Sequence, residues 1–388
     1  MAWPTPQDYN EAVQNPKLAF ADPELQLGCP ELTPLGLPRA ITGGFASVYR
    51  LQCPQHTWAV RCFLRQFHDH EQRYAAISQH LTRVRLPYTV GFTFLRDGIR
   101  VRGQWYPILK MEWVQGESLS TFIERHLGNR SDLLSLARRW VEMVKALQQA
   151  SIAHGDLQHG NVLVVDGQLR LVDYDGMYVP ALAGKSSLER GHRNYQHPHR
   201  TESDFGPYLD NFSAWVVYVS LVALAADPGL WRQFGGGDEC LLFRETDFKQ
   251  PEASDVLRTL ERHRDEQIRS AVKLFKCLLY FSPRDVPSLD EQVAPPGFSS
   301  IQVSRFSSSW IDDHVKRGGA GAPVSVVPES ATLSSPDPSW TLEFAAPNPS
   351  AGAKVAFKNS PTLERLVVTV SAAIIAAFTI WMPLNEST

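Results

Sequence analysis

"HGDLQHGNVLVVDGQLRLVDYD", His154–Asp175, places four Asp and one Asn around two short strand-like runs. "NVLVV" and "QLRLV" are separated by Asp166-Gly167, the pair that best supplies two positive-φ turn positions, so the stretch reads as a tight β-hairpin. If Val165 faces Gln168, then Asn161 faces Val172 and Asp173 lies one step beyond. Strands about 4.8 Å apart bring the oxygens of Asn161 and Asp173 towards the roughly 4 Å at which two ligands share one Mg²⁺. Strict alternation would send the two side chains to opposite faces, so the chain has to leave the ladder at one end for both to meet a metal. Asp156, five residues before Asn161, stands where a carboxylate can orient a nucleophile without being a ligand. Taken alone, the same residues also suit the polar ends of an ordinary hairpin, since Asp, Asn and Gly are common in loops.

The segments upstream bear on that choice. "AITGGFASVYRL", 40–51, reads as strand, glycine pair and strand, able to lay backbone N–H groups over phosphates. "TWAVRCF" is a strand carrying the cation Arg61. "HDHEQRYAAISQHLTRV" is a helix with Tyr74, Ile77, Leu81 and Val84 on one face. Glu71 is assigned to that inward stripe, where a carboxylate needs a partner, and Arg61 is the expected one.

In this order the motifs resemble those of the protein kinase superfamily, in particular bacterial Ser/Thr-type kinase domains: a Gly-rich loop, a strand cation, a helix Glu, "MEWV", "HGDLQHGN" and "DYD". The resemblance spans residues 38–290. It implies an α+β, bilobal fold with an N-lobe of antiparallel sheet plus one helix and a mainly helical C-lobe. It implies ATP and Mg²⁺ as cofactors and a protein substrate with a Ser/Thr hydroxyl. Gly43 and Gly44 would cover the phosphates, Arg61 with Glu71 would position them, and Val48 and Ala59 would pack on adenine. Met111 would be the gatekeeper before Glu112, Trp113 and Val114, and Leu163 the floor of the slot. Asp156 would be the catalytic base, Asn161 and Asp173 the metal ligands. Asp210, ahead of an apolar helix where it can also cap free N–H groups, would steady the catalytic loop. "GHRNYQHPH", 191–199, resembles the segment that supports a peptide substrate.

Several positions depart from the family pattern. Ile41 and Ala46 stand for glycines. Arg61 replaces Lys, exchanging a compact ammonium for a planar fork. Gln158 replaces a Lys and removes a positive charge from the phosphate cradle. Asp175 replaces the glycine of the metal-binding motif, which should favour one conformation of that segment. Gly155 replaces an Arg, leaving Ser186 and Ser187 as ordinary loop residues. His199 replaces a Glu, whose usual Arg partner would be Arg284. Arg61 and Gln158 keep open the alternative of an inactive pseudokinase, a nucleotide-binding membrane scaffold. A small-molecule phosphotransferase shares the "HGDLxxxN" pattern but lacks a segment like 191–199.

The chain of 388 residues has 38 basic and 41 acidic side chains and no basic run, which argues against a nucleic-acid partner. Its five cysteines lack metal or redox spacing and read as thiols of a reducing compartment. "FSAWVVYVSLVALAA", 212–226, is too short for a membrane span and reads as a helix buried on every side. Beyond an N-terminal extension (1–37) and the kinase-like domain, residues 291–365 form a Pro/Gly/Ser/Ala-rich linker. "LVVTVSAAIIAAFTIWMPL", 366–384, carries no charge and would rise roughly 28 Å as a helix, the depth of a hydrocarbon core. Lys354, Lys358 and Arg365 on its upstream side predict a single-pass C-terminal anchor with the folded domain in the cytoplasm.

Overall fold

The computed structural model describes residues 3–289 except Gly44, Phe67, His68 and Asp238. The linker 291–365 and the apolar segment 366–384 lie outside the described residues.

Prolines open the first three helices, α1 (Pro6–Val13), α2 (Pro16–Ala19) and α3 (Pro23–Gln26), at positions where a missing N–H costs no helical bond. The Thr5 hydroxyl caps α1 and the Asp22 carboxylate caps α3. Tyr9, Val13, Ala19, Phe20 and Leu25 of this region are buried against one face of a sheet, with Tyr49, Leu51, Val60, Ile99 and Ile108 opposite them. The N-terminal extension is thus part of the hydrophobic core of the sheet half. Lys110, buried over the Trp58 ring, ties it down through Asp22 at 3.0 Å and Glu24 at 2.9 Å.

The sheet is antiparallel and built from β1 (Cys29–Pro30), β2 (Ala40–Thr42), β3 (Ala46–Gln52), β4 (Thr57–Phe63), β5 (Phe92–Val101) and β6 (Gln104–Glu112). Its order is β1-β3-β4-β6-β5, with β2 also paired to β3. One long helix, α4 (His70–Val84), joins β4 to β5 and buries Tyr74, Ile77 and Leu81 beside Phe63, Phe92 and Phe94. Glu71 is an exception to the expected stripe: it is exposed in the first turn of α4, 2.5 Å from Arg96 of β5.

The second half is mainly helical. It contains β7 (Glu117–Ser118), α5 (Leu119–His126), α6 (Arg130–Gln149), the hairpin β8 (Val162–Val165) and β9 (Gln168–Leu171), α7 (Asn211–Ala226), α8 (Gly229–Gln233), α9 (Glu245–Lys249), α10 (Asp255–Glu261) and α11 (Glu266–Leu278). An antiparallel sheet with one long helix, followed by a helical part, is the layout that the kinase resemblance implies. Residues 211–225 of α7 are all buried, and the Trp140 indole of α6 donates to Ala214 O at 3.0 Å. Among the described residues no helix is long and apolar enough to cross a membrane, so α7 is a core helix. All five cysteines are free, with Cys53, Cys62 and Cys240 buried.

Candidate functional site

The hairpin forms in the expected register. Val165 pairs with Gln168, and Asp166 and Gly167 take φ of 48° and 76° at the turn. Val172 N–H bonds Asn161 O at 3.0 Å, one step past the ladder. Asp173 then adopts φ 65°, so the chain leaves the pleat at the point where strict alternation would have turned its carboxylate away from Asn161. Tyr174 fixes this exit: its hydroxyl donates to Leu171 O at 2.8 Å and accepts from Val90 N–H at 2.7 Å.

Between the sheet and this hairpin lies a narrow cleft. Val48 of β3 and Ala59 of β4 form one wall, Leu163 and Val172 the other, and Met111, Glu112, Trp113 and Val114 close one end. Arg61 and Asp173 stand in the lining as its charged groups beyond Glu112. A slot with a largely apolar lining that also includes Arg61 suits a planar heterocycle joined to an anionic chain.

Asp156 is 7% exposed and held on both oxygens. Oδ1 accepts from His192 N–H at 2.6 Å and Oδ2 from the Asn161 amide at 2.9 Å. The same Asn161 nitrogen donates to Asp156 O at 2.9 Å, which leaves Asn161 Oδ1 buried and without a hydrogen-bond partner among the described residues. The orphaned amide oxygen of Asn161 and the carboxylate of Asp173, which follows its hairpin partner Val172, are hard-oxygen donors of the kind that suits a divalent cation such as Mg²⁺.

The loop carrying Asp156 is braced from below. His154 donates through Nε2 to Val172 O at 2.9 Å, and Asp210 accepts the N–H groups of His154 and of Gly155, the latter at 2.8 Å. Asp210 therefore holds the loop that precedes Asp156 and makes no side-chain cap on α7. Gly155 sits at φ 80°, and a Cβ there would stand 2.1 Å from Gly176 O. Close backbone approach, rather than loss of a regulatory Arg, accounts for glycine at this position. Gln158 accepts Gly160 N–H at 2.8 Å, and its own amide nitrogen is buried without a hydrogen-bond partner among the described residues.

The expected Arg61–Glu71 pair does not form. Arg61 places one terminal nitrogen 3.0 Å from Asp173 and the other on Asp175, whose second oxygen accepts the Tyr74 hydroxyl. Two carboxylates that follow β9 win the guanidinium, while Glu71 meets Arg96 at the surface. Burial opposes the charge on Arg61, but Asp173 and Asp175 outweigh it and hold the guanidinium well above its ordinary range.

Gly43 closes the turn between β2 and β3, with its N–H bonded to Ala46 O at 2.7 Å, so that amide is already engaged. Gly44 lies outside the described residues. His199 N–H bonds the His197 ring at 3.2 Å, and Arg284 pairs with Asp204 at 3.5 Å.

One acid in this region went unread in the sequence. Glu189 sits against Gly176, and burial, then the carboxylates of Asp156, Asp175 and Asp173, push it well above the usual carboxylate range. It belongs to "KSSLER", a segment with no periodic pattern to mark it.

No family model matches the chain, and no curated protein matches it. Among solved structures, the kinase PK-1 of Cydia pomonella granulovirus is similar over 50% of this chain and 70% of that one, at a TM-score of 0.37 and 14% identity.

Proposed function

We propose that the chain is an ATP- and Mg²⁺-dependent protein kinase-like phosphotransferase of the Ser/Thr type, held at the cytoplasmic face of a membrane by residues 366–384. The observation that carries this reading is the largely apolar slot whose lining includes Arg61 and Asp173, with Asp156 bonded to Asn161, whose amide oxygen is buried without a hydrogen-bond partner among the described residues. Val48, Ala59 and Leu163 would enclose adenine, and Arg61 would face the phosphates. Asn161 and Asp173 would hold Mg²⁺, which when bound neutralises charge on the phosphate oxygens. Asp156, fixed by His192 N–H and the Asn161 amide, orients a substrate hydroxyl and takes its proton as the oxygen attacks the terminal phosphorus. The bond from that phosphorus to the bridging oxygen breaks, and ADP carries the electron pair away.

Transfer of label from γ-labelled ATP by the full-length protein in detergent tests the proposal. Asp156→Ala is expected to lower the rate about 10²- to 10⁴-fold. Equal incorporation by wild type and variant would refute it. One observation favours a second reading, a nucleotide-binding scaffold without turnover. Arg61 is tied to Asp173, so a metal and the guanidinium draw on the same carboxylate. Binding of MgATP without label transfer would select that reading.

A further inference from the structure

We propose that Asp175, and not Glu71, is the carboxylate that positions Arg61 for the phosphates of a bound nucleotide, and that Tyr74 rather than a helix acid links α4 to it. The inference rests on the nucleotide reading of the cleft and adds a positioning residue to it.

The geometry is specific to a guanidinium. Arg61 presents two terminal nitrogens, and each takes a different acid, Asp173 at 3.0 Å and Asp175. The third donor, Nε, is buried with no hydrogen-bond partner among the described residues, and Arg61 lines the cleft. A buried N–H left over in a lining residue is a donor for an oxygen that enters the slot. Asp175 is itself held, because its other oxygen accepts from Tyr74, a side chain 3% exposed in the core of the sheet half. The fork is thus pinned on the Asp175 side, whatever happens to Asp173. Glu71 cannot play this part, since it is exposed and engaged by Arg96.

Removing the pin has a defined consequence. With Asp175 uncharged, Asp173 is the one left of the two acids that pair with the buried guanidinium, and Arg61 is drawn onto the group that a metal needs. Binding of MgATP should weaken, while binding of adenosine, which uses only the apolar slot, should not change.

The test is calorimetric titration of the full-length protein in detergent with MgATP and with adenosine. Asp175→Asn is expected to weaken MgATP about tenfold and to leave adenosine within twofold. In an Arg61→Ala background the same change should have less than a twofold effect, because the residue acts only through Arg61. Glu71→Gln should leave both ligands within twofold. A wild type that binds neither ligand would remove the nucleotide reading itself. A wild type that binds MgATP, combined with loss on Glu71→Gln and none on Asp175→Asn, would overturn the assignment and leave that reading intact. Should Asp175→Asn fail to fold, Tyr74→Phe, which deletes only the hydroxyl, is expected to weaken MgATP about threefold, and an unchanged affinity would overturn the proposal.

Discussion

Asp210 carries a load that can be weighed. Its carboxylate is 7% exposed and accepts two main-chain N–H groups, from His154 and Gly155, directly before Asp156. Asp210→Ala leaves both donors buried with nothing in their place. An unsatisfied buried donor costs about 1–3 kcal/mol, so the expected loss for the two donors is about 3 kcal/mol in total. For a domain of this size each kcal/mol moves the midpoint by about 2–4 °C, which sets the fall in Tm at roughly 6–12 °C. Asp210→Asn is expected to fall nearly as far, because an amide offers one acceptor and turns a donor towards the second N–H. Scanning calorimetry of wild type and both variants checks this. If Asp210→Ala melted within 1 °C of wild type, the claim that this acid holds the loop would be wrong.

Two further outcomes follow from the same framework. His197 is 4% exposed, donates through Nε2 to Leu278 O, and accepts His199 N–H on Nδ1, so it has no site left for a second proton, and burial lowers it to about 4. The unfolded chain then binds the proton first: the stability is present above pH 6.5 and lost as pH falls towards 4, and the stability difference between wild type and His197→Gln should narrow by about 3 kcal/mol over that range in urea unfolding. Gly155→Ala forces a Cβ against Gly176 O at a positive φ and is expected to cost about 3 kcal/mol or more; a urea midpoint unchanged from wild type would contradict the close approach.

What could be read in the sequence was what is encoded locally. Asp166-Gly167 specifies its own turn, so the register from Asn161 to Asp173 followed from two residues; Val48, Ala59 and Leu163, which line the cleft, were named by the kinase resemblance and not by periodicity. The N-terminal extension was only marked off by position. Its helices are 4 to 8 residues long, about one or two turns, too short for a 3.6-residue period to show which faces are buried. The partner of Arg61 was misread for a different reason. Periodicity names the residues on a helix face but not the competitor that arrives from elsewhere, and Asp175 is 114 residues away from Arg61 in the chain. Glu189 was missed because a loop has no period at all.

Read against a kinase pattern one position at a time, Arg61 and Asp175 look like two separate losses, of a lysine and of a glycine. In the structure they are halves of a single arrangement. A lysine ammonium is a point charge that one helix acid can hold, whereas a guanidinium presents separate nitrogens in a rigid plane and needs an acid for each. Asp175 supplies the second acid, and Tyr74 fills the inward place on α4 with a hydroxyl that reaches it. The inward acid on α4 then has no task, which accounts for Glu71 at the surface. The same contacts tie the segment that follows β9 to both β4 and α4. Restoring Lys at position 61 alone would therefore break the arrangement rather than repair it: one ammonium would face two carboxylates, with Glu71 turned away.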